Sequence, residues 1–212
     1  MKESGQKLAG LYLILDPSVA PSKGLASVLR EAAAAGVRLF QYRDKQASMR
    51  EAYERVLPLR VLARELGVTF LVNDRCDLAL AVDADGIHLG QDDLPVHHAR
   101  RLLGTNRLIG LSTHNASQVT AAAQTDVDYI GFGPIYLTSS KENPDPVVGL
   151  EGLRAVRSLT KLPIFAIGGL TAERYPDVLK AGANGAAVIS AILSARDIAG
   201  AVQTFLSSYR PM

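Results

Sequence analysis

Two hydroxyls and a lysine, Thr138, Ser140 and Lys141, follow an apolar run within GPIYLTSSKENP (133–144). Hydroxyls donate hydrogen bonds to phosphate oxygens and an ammonium adds a point charge, so this stretch suits a phosphate ester beside a second anion. Related groups recur elsewhere in the chain. Gln41, Arg43 and Lys45 alternate in QYRDK, which puts them on one side of an extended segment. Asn73-Asp74, Asp92-Asp93, Ser112-Thr113-His114, Gly168-Gly169 and Ile189-Ser190 each sit at or just past the end of an apolar run. Arg43, Lys45 and Lys141 supply fixed positive charge. Asp74 and Asp93 are oxygen donors suited to Mg²⁺, an ion that takes one or two carboxylates and otherwise keeps water or substrate phosphate. Cations beside a magnesium site suggest a pyrophosphate. Gly169 and the turn after Ile189-Ser190 offer backbone N–H groups to a monophosphate. No nucleophile–base pair accompanies them. His114 is a lone strand-end histidine, which more often packs or hydrogen-bonds than acts as a base. His88 falls inside a strand, and His97-His98 on a helix without metal-ligand spacing.

Each residue has a plainer reading taken singly. Asp74 suits a helix N-cap, Lys45 a solvated charge, and Gly168-Gly169 a tight turn. Their joint placement is the stronger argument, and it depends on the elements that carry them. Short apolar runs at 11–15, 38–43, 69–73, 86–90, 107–113, 128–135, 163–169 and 185–190 alternate with helical patterns such as 25–36 and 50–67. Strands that are apolar throughout, separated by helices, imply a parallel sheet covered on both faces. Gly36, Gly67, Gly104 and Gly182 suit positions that end a helix. Eight such units predict a single (β/α)₈ TIM barrel over residues 1–212, whose chemistry belongs at the carboxyl ends of the strands. A doubly wound sheet is disfavoured, because no G-x-G-x-x-G turn follows the first strand.

Bulk properties narrow the partners. The chain has 212 residues, 48% hydrophobic and 21% charged, with net charge +2 and no Lys/Arg block of the kind that binds nucleic acid. Its apolar runs fall short of the roughly 20 residues of a membrane span. LYLIL ends in Asp16-Pro17 rather than a small-residue cleavage site, so it reads as a first strand and not a signal peptide. Cys76 is the one cysteine and reads as structural or incidental, which suits a reducing cytoplasm. Small-molecule substrates are therefore expected, with homo-oligomerisation left open.

LVNDRCDLALAVDADGIHLGQDDLP (71–95) closely resembles the central signature of the thiamine phosphate synthase family. QYRDK, GLSTH, GPIYLTSSK, AIGGL and GANGAAVISAI follow in that family's order. The resemblance implies a transferase that joins 4-amino-5-hydroxymethyl-2-methylpyrimidine diphosphate to hydroxyethylthiazole phosphate, releasing pyrophosphate. It assigns Gln41, Tyr42, Arg43, Asp44, Lys45, Asn73, Ser112 and Lys141 to the pyrimidine diphosphate. Thr138, Ser139, Ser140, Gly169, Ile189 and Ser190 go to the thiazole phosphate and its loop. Asp74 and Asp93 would hold Mg²⁺, and Lys45, Ser112 and Lys141 would be catalytic. Leu137 and Ser140 depart from the proline and threonine usual there. Rival readings are a thiazole tautomerase, a barrel phosphosugar isomerase or epimerase, and a silent phosphate-binding regulatory barrel. A tautomerase has no evident need for Lys45, Asp74, Asp93 and Lys141 together.

Overall fold

The computed structural model describes residues 8–19, 24–138 and 145–208. Each apolar run becomes a strand: β1 (Gly10–Leu15), β2 (Leu39–Tyr42), β3 (Thr69–Asn73), β4 (Gly86–Leu89), β5 (Leu108–Thr113), β6 (Tyr129–Phe132), β7 (Ile164–Ala166) and β8 (Gly185–Val188). All neighbours pair in parallel and β8 returns to β1, closing the predicted (β/α)₈ barrel. Between the strands run α1 (Leu25–Ala34), α2 (Met49–Glu65), α3 (Cys76–Ala81), α4 (Val96–Leu103), α5 (Ala116–Ala122), α6 (Gly149–Arg157) and α7 (Tyr175–Lys180). The helix α2 opens on a capping box, in which Ser48 and Glu51 satisfy each other's backbone N–H groups. The four expected helix-ending glycines all have positive φ.

The differences lie at the strand ends. The sixth run stops at Phe132, because Pro134 has no N–H to give a sheet. The seventh stops at Ala166, before the positive-φ pair Gly168-Gly169. Ser190 opens a short helix, α8 (Ser190–Leu193), rather than ending a strand. A last helix, α9 (Ile198–Ser208), was not among the expected elements. It lies against α1, where Gln203 Nε2 donates to the Ala35 carbonyl at 2.8 Å.

Two layers of core hold these elements. The larger lies between sheet and helices and includes Leu13, Phe40, Val72, Ile87, Ile109 and Phe132. The smaller fills the barrel itself with Tyr12, Leu39, Leu71, Tyr129, Phe165 and Ala187. Tyr12, Tyr129 and Phe165 meet edge to face at 5.4–6.0 Å, an arrangement that matches ring edges to ring faces. Gly110 makes room for them: a Cβ there would lie 2.1 Å from Tyr129 Cζ and 2.5 Å from His88 Nδ1.

The amino-terminal end of the sheet is tied by a repeated device. Asp85, just before β4, accepts from the Phe70 N–H of β3 at 2.8 Å and from Arg60 of α2 at 2.9 Å. Asp128, just before β6, accepts from the Ile109 N–H of β5 at 2.9 Å and from Arg100 of α4 at 2.8 Å. Asn184, just before β8, accepts from the Ile164 N–H of β7 at 2.9 Å and from Arg157 of α6 at 3.3 Å. Each clamp joins an even strand to the odd strand before it and to the helix that leads into that odd strand. The corresponding position before β2 is Arg38, which bonds the carbonyls of Ala33 and Val37 instead.

Candidate active site

At the opposite end, a cavity of about 880 Å³ opens between the carboxyl ends of the strands. Strand alternation decides who reaches it. Gln41, Arg43 and Lys45 line the cavity, whereas Tyr42 and Asp44 turn away. Tyr42 is buried among the helices and its hydroxyl donates to Asp44 Oδ2 at 3.1 Å. Asp44 accepts from the N–H groups of Gln46 and Ala47 and pairs with Arg55 at 2.9 Å. The backbone bonds and Arg55 hold the Asp44 carboxyl below its usual range against the cost of burial. Tyr42 and Asp44 thus secure the β2–α2 turn beside the lining residues Gln41, Arg43 and Lys45.

Asn73 ends β3 and Asp74 follows with φ +59, a left-handed conformation that costs a non-glycine residue about 1 kcal/mol or more. The Asp74 N–H is held by the His88 carbonyl at 2.8 Å. Its carboxylate meets Lys45 Nζ and the carboxyl group of Asp93. Burial first, then Asp93, pushes Asp74 up to about 6, with Lys45 opposing. Asp93 is fixed by its own loop, accepting from the Gly90 N–H at 2.6 Å. Two close carboxylates, one strained and partly desolvated, form a hard oxygen-donor pair that a cation would relieve. No group of three or more His, Cys, Asp or Glu residues suited to a metal occurs among the described residues. A pair alone fits Mg²⁺, whose remaining positions go to water or phosphate.

Ser112 is the next-to-last residue of β5 and Thr138 follows β6, both on the same cavity. Across the mouth, Gly169 has φ +62, and Ile189 and Ser190 form the turn into α8. Ser139, Ser140 and Lys141 lie outside the described residues. His114 also lines the cavity, but its Nδ1 is 2.6 Å from the Gly133 carbonyl, which only accepts, so that nitrogen donates. Its Nε2 faces Asp145 at 3.5 Å. Cys76 is buried, and burial raises its thiol, as befits an inert structural cysteine.

Several lining groups escaped the sequence. Asp16, 2% exposed at the end of β1, pairs with Arg43 and steadies its guanidinium. Tyr12, His88 and Phe165 form the cavity floor. Arg174 also lines it, stacked 4.3 Å over Tyr136 and donating to the Gly169 carbonyl at 2.6 Å. Burial pushes His88 down to about 4, so its ring is neutral near pH 7.

Fold and mouth together define a class: a (β/α)₈ barrel whose carboxyl-end cavity is equipped with cations, paired carboxylates and the glycine pair Gly168-Gly169. A family model described as thiamine monophosphate synthase matches residues 11–192, and the chain belongs to that family. It is similar to the thiamine-phosphate synthase of Chloroflexus aurantiacus, 46% identical over 193 residues that cover 91% of this chain and 89% of the relative. The thiamine-phosphate synthase of Syntrophomonas wolfei is 45% identical, covering 90% of this chain and 91% of the relative. Among solved structures, thiamine phosphate pyrophosphorylase from Pyrococcus furiosus superposes with a TM-score of 0.84 at 38% identity, covering 94% of this chain and 95% of that one. The chain is thus an enzyme of the transferase kind. The tautomerase and regulatory-barrel readings find no support among these relatives.

Proposed function

We propose that this chain condenses 4-amino-5-hydroxymethyl-2-methylpyrimidine diphosphate with hydroxyethylthiazole phosphate, giving thiamine phosphate and pyrophosphate. The observation that carries the reading is the convergence of Arg43, Lys45, Asp74 and Asp93 on one cavity with Gly169, Ile189 and Ser190. The first group suits a diphosphate and the second a monophosphate, so one mouth serves two phosphorylated substrates.

The reaction breaks the bond between the pyrimidine methylene carbon and the diphosphate oxygen, and the electron pair leaves with the diphosphate. The electron-rich aminopyrimidine spreads the resulting positive charge, and the thiazole nitrogen supplies the pair for the new carbon–nitrogen bond. Such a step needs neutralised leaving-group charge and two aligned reactants more than a protein nucleophile. Arg43 and Lys45 hold the diphosphate, Asn73 and Ser112 donate hydrogen bonds to it, and Lys141 adds a further cation. Asp74 and Asp93 would hold Mg²⁺, which supplies Lewis-acid neutralisation of the leaving diphosphate when bound. Thr138, Ser139, Ser140 and the amides near Gly169, Ile189 and Ser190 seat the thiazole phosphate. The apolar faces of Tyr12, Phe165 and Ile167 line the cavity around the reacting groups. We read residues 1–212 as one catalytic domain, cytoplasmic, and acting on small molecules rather than nucleic acid or membrane. Among the described residues no helix is long and apolar enough to cross a membrane.

Purified protein given both substrates and Mg²⁺ should release pyrophosphate and thiamine phosphate in equal amounts. Isomerised thiazole phosphate without pyrophosphate would refute the assignment. Gly169→Ala tests the monophosphate side. Its Cβ would lie 2.3 Å from the Leu137 carbonyl oxygen and 2.9 Å from Tyr136 Cβ, at a φ that L side chains resist. The KM for the thiazole phosphate should rise about tenfold, roughly the 1.4 kcal/mol of one good phosphate contact. The KM for the pyrimidine diphosphate should stay within about twofold.

A further inference from the structure

Barrels of this type usually fill their interior with branched apolar side chains. Here the interior carries a hydrogen-bonded chain whose five side chains come from five strands. Gln41 Nε2 donates to the Tyr12 hydroxyl. The hydroxyls of Tyr12 and Tyr129 are 3.0 Å apart, and that of Tyr129 is 2.9 Å from His88 Nδ1. His88 Nε2 is in turn 2.9 Å from Ser112 Oγ. Gln41, Tyr12 and Tyr129 are at most 1% exposed and His88 9%. Both ends of the chain, Gln41 and Ser112, line the cavity, whereas Tyr129 does not.

Counting protons gives the chain a direction. An amide NH₂ can only donate, so Tyr12 accepts from Gln41 and its single proton goes to Tyr129. The Tyr129 proton then goes to His88 Nδ1. The ring's remaining proton sits on Nε2 and is donated to Ser112 Oγ, leaving the serine's own proton for the cavity. The opposite direction would aim the Tyr12 proton at an NH₂ group, donor against donor. Gly110 fits this role, since any side chain there would collide with both Tyr129 and His88.

We propose that these five residues form a one-way relay that locks His88 as its Nε2–H tautomer and presents Ser112 as a hydrogen-bond donor to the departing diphosphate, making Tyr129 a positioning residue. The last step rests on the synthase reading above; the relay itself does not.

The tautomer is tested first, on the full-length protein without substrates. Long-range ¹⁵N–¹H NMR at pH 7 separates donor from acceptor nitrogens in the four histidines, with His88 assigned by the signal lost in His88→Gln. A donor Nε2 and an acceptor Nδ1 are expected in the unsubstituted protein. A donor Nδ1 overturns the relay whatever the enzyme's activity. In Tyr129→Phe, Nδ1 loses its donor, so the His88 signals should shift toward a mixture of tautomers. The same variant should show kcat lowered about tenfold, with the KM for thiazole phosphate unchanged. Turnover equal to that of the unsubstituted protein, or a loss with the tautomer signature intact, overturns the positioning role. Should Tyr129→Phe fail to fold, Tyr12→Phe, which takes away the proton Tyr129 accepts and so lets it accept from His88 Nδ1–H instead, should give the same two changes. If neither appears, the proposal fails.

Discussion

Asp93→Asn should lower pyrophosphate release about 100-fold or more at saturating substrates, the scale of losing one preorganised electrostatic partner of a transition state. The substitution is chosen because it separates two roles of one side chain. Asp93 Oδ2 accepts from the Gly90 N–H at 2.6 Å, and an amide oxygen can take that bond over, keeping the loop in place. What asparagine removes is the negative charge beside Asp74. The melting temperature should therefore hold within about 2 °C, and the Mg²⁺ concentration for half-maximal rate should rise. Activity within threefold of the starting protein would mean that Asp93 only ties its loop.

The second large effect belongs to the other end of the barrel and to stability alone. Arg100 is 9% exposed. It makes five hydrogen bonds, to the carbonyls of Gly104, Arg107 and Asp126, the last accepting twice, and to the carboxylate of Asp128. Arg100→Ala removes the guanidinium from beside the Asp128 carboxylate, itself only 10% exposed. Removing one member of a buried pair costs about 3–5 kcal/mol. For a chain of this size that is about 10 °C in melting temperature, measurable by calorimetry. The KM values of surviving protein should stay close to those of the parent, because the mouth lies at the opposite end of the sheet. Lysine at position 100 should recover little, since a point charge cannot span three carbonyls and a carboxylate at once. A loss under 1 kcal/mol would show that the clamp is replaceable by solvent.

The barrel was legible because its strands are covered on both sides. TFLVN and GIHL have no polar face to blur their limits, and both emerge close to the expected bounds. Arg43, Lys45, Asp74 and Asp93 were legible as charges at strand ends. Alternation along QYRDK also held information that the family resemblance overrode: residues between Gln41, Arg43 and Lys45 must face the helices, as Tyr42 and Asp44 do. Other features had no local signal. Tyr12, His88 and Tyr129 look like ordinary strand residues, and only barrel closure brings together two hydroxyls separated by 117 positions. Arg60 and Arg100 read as helix surface charges until the turns beneath them are in place. The helix α9 follows the last strand, where the strand–helix rhythm had already been completed.

Clamps bind β3 to β4, β5 to β6 and β7 to β8, but among the described residues no such clamp joins β1 to β2. That first pair is completed from the far end of the chain, by β8 along one edge and by α9 against α1. On a ribosome, the early strands would therefore wait: the first pair emerges soonest yet lacks its flank until the final helix has left the exit tunnel. Closure of the ring becomes a late event, and until then β1 and α1 stay exposed on the sides that β8 and α9 will cover.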